Sequence, residues 1–239
     1  MTPTQEEEAS VAKIISHEKA VGLIPDGATV MFGGFMGCGS AHRLIDAISK
    51  SGVRDLTVIS NDAAMPGGPI GEEQYGVAKL IHNRQVKKLI ATHVGLNPEV
   101  AQQSMGEGTL EVQLIPQGSM AEMIRAGGAG LGGVLTPTGV GTVVEDSPLC
   151  LGRQTVQGRE YLLMAPLRAD VSVIAGVKVD KAGNIWYRGG TSNFNIVMAT
   201  AADTVIAEGR DIIEVGGIAP EDVRTPGVFV DYIVEGEHY

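Results

Sequence analysis

Apolar residues along this chain fall into short runs, separated by stretches in which they recur at helical spacing. Val11–Leu23 carries Val11, Ile14, Ile15 and Val21 at roughly helical spacing and predicts a helix ending near Pro25. Asp26-Gly27 turns the chain into a buried strand, Thr29–Phe32. Ala41–Lys50 sets Leu44, Ile45 and Ile48 on one helical face, with Gly52 at its stop. Asp55–Ser60, Gln85–Thr92 and Leu110–Ile115 read as further strands, and Met65–Gly71 as a Pro/Gly loop. Ser119–Arg125 predicts a helix opened by a capping box, Ser119-x-x-Glu122. In the second half, Val140–Val144, Glu160–Met164, Asp170–Val179, Thr204–Glu208 and Val228–Val234 read as strands and Asn195–Ala202 as a helix. Strands alternating with helices predict an α/β fold: an open, mostly parallel sheet flanked by helices. No linker or low-complexity segment interrupts the pattern, so residues 1–239 are expected to form one domain, with residues 1–10 disordered.

The polar residues that interrupt this pattern at strand ends are the candidate chemistry. Ligands of parallel sheets sit outside the carboxyl ends of the strands. Three strands here end in Gly33-Gly34, Asn61-Asp62 and Gln117-Gly118. The stretch Gly33-Gly34-Phe35-Met36-Gly37-Cys38-Gly39 joins a strand directly to a helix. Such a loop leaves backbone N–H groups bare, where a phosphate or a developing oxyanion can be held. A tight strand-to-helix turn explains the same glycines equally well, and the spacing is not the G-x-G-x-x-G of dinucleotide folds. Cys38 would have an acidified thiol if it stood at a helix N-terminus, yet a small buried cysteine is the commoner case. His42 reads as a surface or capping residue. Turn chemistry accounts for Asn61 and Asp62. Gln117, held by Pro116 and Gly118, offers an amide at a strand end, for structure or for function. Glu122 and Arg125 are spaced to pair on a helix.

Composition narrows the classes. The net charge of −10 argues against nucleic-acid binding, and 4% aromatic residues are too few for a base-stacking platform. The 33 glycines sit at element boundaries rather than in a repeat. Cys38 and Cys150 cannot make a disulfide framework or a zinc site. No apolar run approaches the roughly 18 residues that span a bilayer, and the acidic N-terminus lacks the order of a signal peptide; a cytoplasmic protein away from membranes is expected. No pair of carboxylates, HExxH or Walker lysine supplies an attacking group, and no metal or nucleotide is expected.

Asp26–Gly39 resembles the signature of the α subunits of family I CoA-transferases: Asp-Gly, two free positions, Val30-Met31-Phe32, Gly33-Gly34-Phe35 and then Gly39. Ala41 stands where that pattern ends in Pro. Ile115–Gly130, Thr136–Thr142 and Ala165–Asp170 resemble further blocks of the family, and the likeness runs from about Ser16 to Val234, nearest to the acetate/acetoacetate (short-chain fatty acid) type. The resemblance implies a cytoplasmic two-subunit enzyme, α2β2, acting on acyl-CoA and short-chain carboxylic acids with coenzyme A as substrate. It puts the nucleophile, a glutamate in Ser-Glu-Asn-Gly, on the β subunit, so no catalytic nucleophile is expected in this chain. It implies that Gly33, Gly34, Phe35, Met36, Gly37, Cys38 and Gly39 form a CoA-binding loop. Asn61 and Gln117 would line the acyl site, with Gly130 and Gly132 closing a backbone wall nearby. A sugar-phosphate isomerase-like enzyme of related fold, or a subunit that only positions ligand, remains an alternative on the residues alone.

Overall fold

A computed structural model describes residues 12–68 and 71–237. The expectation of disorder over residues 1–10, and the start of the first predicted helix at Val11, lie outside the described residues. In chain order the first elements are β1 (Lys13–Ile14), α1 (His17–Val21), β2 (Thr29–Phe32), α2 (His42–Lys50), β3 (Leu56–Ser60), β4 (Met65–Pro66) and β5 (Gln74–Tyr75). There follow α3 (Ala78–His82), β6 (Val86–Ala91), α4 (Pro98–Ala101), β7 (Glu111–Leu114) and α5 (Gln117–Gly128). The second half holds β8 (Val134–Thr136), β9 (Cys150–Val156), β10 (Arg159–Met164), β11 (Ala169–Asp180) and β12 (Ile185–Trp186), then α6 (Asn195–Met198), β13 (Ala202–Ile213) and β14 (Tyr232–Glu235).

The central sheet runs β1-β14-β13-β11-β2-β3-β6-β7, and β12 adds antiparallel to β11. Every pairing along that path is parallel. Parallel neighbours need crossovers, and the crossovers cover both faces of the sheet. Side chains therefore alternate between two cores. Val30 and Phe32 join Leu44, Ile45 and Ile48 of α2 and Leu80 and Ile81 of α3 on one face. Met31 and Ile59 join Met120, Met123 and Ile124 of α5 on the other. The α/β reading and the mostly parallel sheet hold. No helix among the described residues is long and apolar enough to cross a membrane.

Several local expectations are corrected. Lys13–Ile14 is a strand against Tyr232–Ile233, not the start of a helix, and Ser16 caps the short α1 by accepting from the Lys19 amide at 3.3 Å. The capping box at Ser119-x-x-Glu122 does not form: α5 already begins at Gln117, because Pro116 sits at φ −54° and the buried stripe needs the extra turn. Ser119 is buried inside that helix, and Glu122 instead accepts from Arg125 Nε at 2.7 Å, as its spacing predicts. Val140–Val144 is not a strand. Gly139 and Gly141 have φ of +93° and +77°, and the Thr142 side chain accepts from the Val144 amide to open a short 3-10 turn, Val143–Asp146. The helix predicted over Asn195–Ala202 stops at Met198, since Ala202 already pairs with Ala169 in the sheet. Glu160–Met164 is a strand, but in a separate antiparallel sheet, β8-β10-β9, whose other two strands the apolar pattern did not show.

Candidate functional site

Because β2, β3, β6 and β7 are parallel neighbours, their carboxyl ends share one edge. That register brings Gly33, Asn61, Thr92 and Gln117 together from four separate segments. Gln117, the first residue of α5, donates from Nε2 to Asn61 Oδ1 at 2.6 Å. Asn61 donates in turn from Nδ2 to Asp62 Oδ2 at 2.9 Å. Asp62 is 5% exposed and also accepts the Met36 amide at 2.8 Å and the Ala64 amide at 2.8 Å. One unbroken chain of hydrogen bonds thus links Gln117 to the glycine loop. Among the described residues it leaves the second N–H of the Gln117 amide uncommitted, on an exposed residue. The α5 amides of Gln117, Gly118 and Ser119 lie in its first turn, where no intrahelical acceptor exists.

The loop itself is more tightly furnished than its sequence suggests. Phe35 and Cys38 exchange both backbone hydrogen bonds, at 3.0 and 2.8 Å, around Met36 and Gly37. Met36 has φ +49° and Gly37 φ +78°, so this is a two-residue hairpin with a primed turn. The Gly33 amide donates to Val173 O at 2.9 Å and the Gly34 amide to Asn193 Oδ1 at 3.0 Å. The expected row of bare donors is therefore corrected: within Gly33–Gly39, only the amides of Gly37 and Gly39 lack a partner among the described residues. Cys38 and Phe35 are exposed, and Cys38 is a free thiol. His42 is not a surface residue. It is buried, stacks on Tyr75 with ring centroids 4.6 Å apart, and lies 2.8 Å from Gly37 O through Nε2; burial pushes its pKa below the usual histidine value. A pocket of about 10 Å³ beneath the loop, lined by Gly33, Gly34, Ser60, Asn61 and Asp62, has room for about one water.

Gly130 and Gly132 are exposed and follow the C-terminus of α5. A 12-residue helix is about 18 Å long, so the structure does not bring them to Gln117. Two residues that the sequence reading passed over matter more. Asn195 is fully buried: its Oδ1 accepts the Ala175 amide at 3.1 Å, and its Nδ2 donates to Gly39 O and Thr191 O, each at 2.8 Å. Asn193 donates to Cys38 O at 2.9 Å. The only signal in the sequence was an Asn-Phe-Asn triplet whose last residue opens the segment read as a helix. No group of three or more His, Cys, Asp or Glu that could hold a metal occurs among the described residues.

Fold and site together define an α/β protein whose candidate ligand edge consists of carboxamides, a helix start and a braced glycine hairpin. The profile of the Coenzyme A transferase family matches residues 14–236, and the chain belongs to that family. It is 46% identical over 224 residues to the acetoacetyl-CoA:acetate/butyrate CoA transferase alpha subunit of Clostridium acetobutylicum, covering 94% of this chain and 98% of that one. It is 45% identical over 222 residues to the acetate CoA-transferase subunit alpha of Escherichia coli, covering 93% and 96%. A solved acyl-CoA transferase of E. coli O157:H7, in thioester complex with CoA, shares the fold at a TM-score of 0.80 and 22% identity, covering 98% of this chain and 49% of that one.

Proposed function

We propose that this chain is the α subunit of a two-subunit CoA-transferase that moves CoA between a short-chain acyl-CoA and a free carboxylate. Acetate, butyrate and acetoacetate are the substrate class, and α2β2 is the assembly. The observation that carries this reading is the Gln117–Asn61 contact of 2.6 Å at the mouth of the sheet, beside the glycine hairpin. In the proposed cycle a glutamate of the β subunit attacks the thioester carbonyl and CoA thiolate leaves, giving an acyl-glutamyl anhydride. The thiolate returns to the glutamyl carbonyl, releasing the acyl carboxylate and leaving a glutamyl-CoA thioester. The incoming acid reverses both steps. Each transfer passes through a tetrahedral oxyanion, which fixed N–H donors stabilise. Gln117 is suited to this because Asn61 holds one of its N–H bonds and so aims the other. The first-turn amides of α5 add fixed partial positive charge beside it.

Co-expression with a β subunit carrying Ser-Glu-Asn-Gly and assay of acetyl-CoA against butyrate and acetoacetate test the reading. Activity is expected only in the mixed preparation, with a mass near twice the sum of both chains. Gln117→Ala in that complex is expected to lower kcat/KM by about tenfold or more, the scale of one transition-state hydrogen bond. A change within twofold removes Gln117 from the chemistry, and full activity of the isolated chain removes the proposal.

A further inference from the structure

Glu208 is 5% exposed on β13, 164 positions along the chain from the residue it touches, and the sequence gives it no role. Its Oε2 accepts the amide of Leu44 at 2.8 Å, in the first turn of α2, the helix that follows the glycine hairpin. The residue that should cap this helix is Ala41, which has no side-chain acceptor. The carboxylate is supplied instead from the sheet, at the end of the helix dipole that favours negative charge.

A cavity of about 240 Å³ separates Glu208 from the hairpin, and Gly37, Cys38, Gly39, Tyr75 and Arg210 share its wall. The hairpin is held by the Asp62 carboxylate at the Met36 amide, by Asn193 at Cys38 O, by Asn195 at Gly39 O, by the Tyr75 ring against Gly37, and by the start of α2, where the His42 ring lies 2.8 Å from Gly37 O. We infer that Glu208 is a positioning residue for the hairpin: its buried carboxylate pins the start of α2, and through it sets where Gly37 and Gly39 stand against the ligand edge. The functional part of this inference rests on the transferase reading.

Charged and titratable groups surround the carboxyl on every side. Arg43 and His42 face it from α2, Glu237 from the segment after β14, Arg210 from its own strand, and Cys38 and Tyr75 across the cavity. Burial is the largest influence and pushes the Glu208 pKa up to about 7; the amides of Leu44 and Arg43 and the Arg43 charge pull it back, and Glu237 adds to the rise. The tie is therefore charged above neutral pH and neutral below it. Protonated Glu208 keeps an oxygen near Leu44 but loses the charge–dipole attraction.

Amide NMR of the full chain tests this without any assay. The Leu44, Gly37 and Gly39 resonances are expected to shift together with a midpoint near pH 7, and Glu208→Gln is expected to abolish that step. Any lower-pH step belonging to His42 stays in both proteins. If Leu44 titrates while Gly37 and Gly39 do not, Glu208 only caps a helix and the inference fails. If no resonance has a step near 7, it fails as well. In the assembled enzyme, kcat/KM is expected to fall about threefold to tenfold as pH drops through 7, the reach of one charge at a helix start. Glu208→Gln should show the low value at every pH, without a break. A break that survives in the variant overturns the inference. An assembly with no transferase activity at any pH overturns the transferase reading instead, while the amide titration still decides the role of Glu208. Should the variant not fold, the wild-type amide titration against the Glu208 carboxyl carbon signal gives the same decision.

Discussion

Two stretches of seven residues, Gly33–Gly39 and Gly127–Gly133, are alike in composition, with four and five glycines. In the structure they do different things. A side chain added at Gly33 would lie 1.8 Å from Asn195 Oδ1, and one at Gly37 would lie 1.8 Å from the Tyr75 ring. These glycines are bare because side chains from remote segments reach in to hold the backbone. At Gly127 the neighbour is backbone: a Cβ there would lie 1.9 Å from Leu167 O, where α5 packs on the approach to β11. A Cβ at Gly130 or Gly132 would meet nothing within 4 Å among the described residues. Glycine richness thus marks a braced hairpin in one place, a close helix contact in the second, and open surface in the third. Only the first adjoins Asn61 and Gln117.

The contrast can be broken most severely at Asn195. Asn195→Ala leaves Gly39 O, Thr191 O and the Ala175 amide without their partner, and orphaned buried polar groups cost about 1–3 kcal/mol each. A stability loss of roughly 3–5 kcal/mol is expected from urea melts. A loss below about 1 kcal/mol would mean the hairpin braces itself.

Next comes the effect of Glu208 on stability. Its pKa is raised in the fold from 4.5 to about 7, so between those values the unfolded chain releases a proton that the fold retains. Stability therefore falls as pH rises across that window, by up to about 3 kcal/mol. Glu208→Gln should melt higher than wild type at pH 8 and match it below pH 4.5. Equal melting temperatures at pH 8 would show that ionised Glu208 costs the fold nothing.

Paired substitutions separate the two glycine stretches directly. Gly127→Ala is expected to cost about 1–3 kcal/mol by overpacking, with activity per folded molecule unchanged. Gly37→Ala should cost a similar amount, since it combines φ +78° with the Tyr75 contact. It should also lower kcat/KM of the complex beyond its effect on folding. Similar activity losses in both would erase the distinction. Gly132→Ala meets nothing and is expected to shift stability by less than about 0.5 kcal/mol. A larger shift would give that exposed turn a role the geometry does not show.

What was legible in the sequence followed local periodicity. Thr29–Phe32 reads as a strand because its apolar residues are consecutive and short, and the structure keeps those bounds. Asn61 and Gln117 stood out because each follows such a run, and parallel pairing then set them side by side. The capping box failed because Ser119-x-x-Glu122 fits a helix start and a helix interior equally, and burial of Met120, Met123 and Ile124 chose the interior. The antiparallel strands β8 and β9 were missed because none of their residues is buried, most of β9 is exposed, and neither carries an alternating apolar signal.

The chain alone therefore determined the alternation of strands and helices around the parallel sheet, the class of that sheet and which strand ends carry amides, since these depend on neighbours within a few residues. Only the tertiary structure decided that Asn193 and Asn195 brace the hairpin, that Glu208 caps α2, and that Gly130 and Gly132 stand a helix length from Gln117. Those contacts join positions up to 164 residues apart. Their strength comes from burial and from satisfying backbone groups that the loop cannot satisfy by itself, and neither exists until the sheet has set its register.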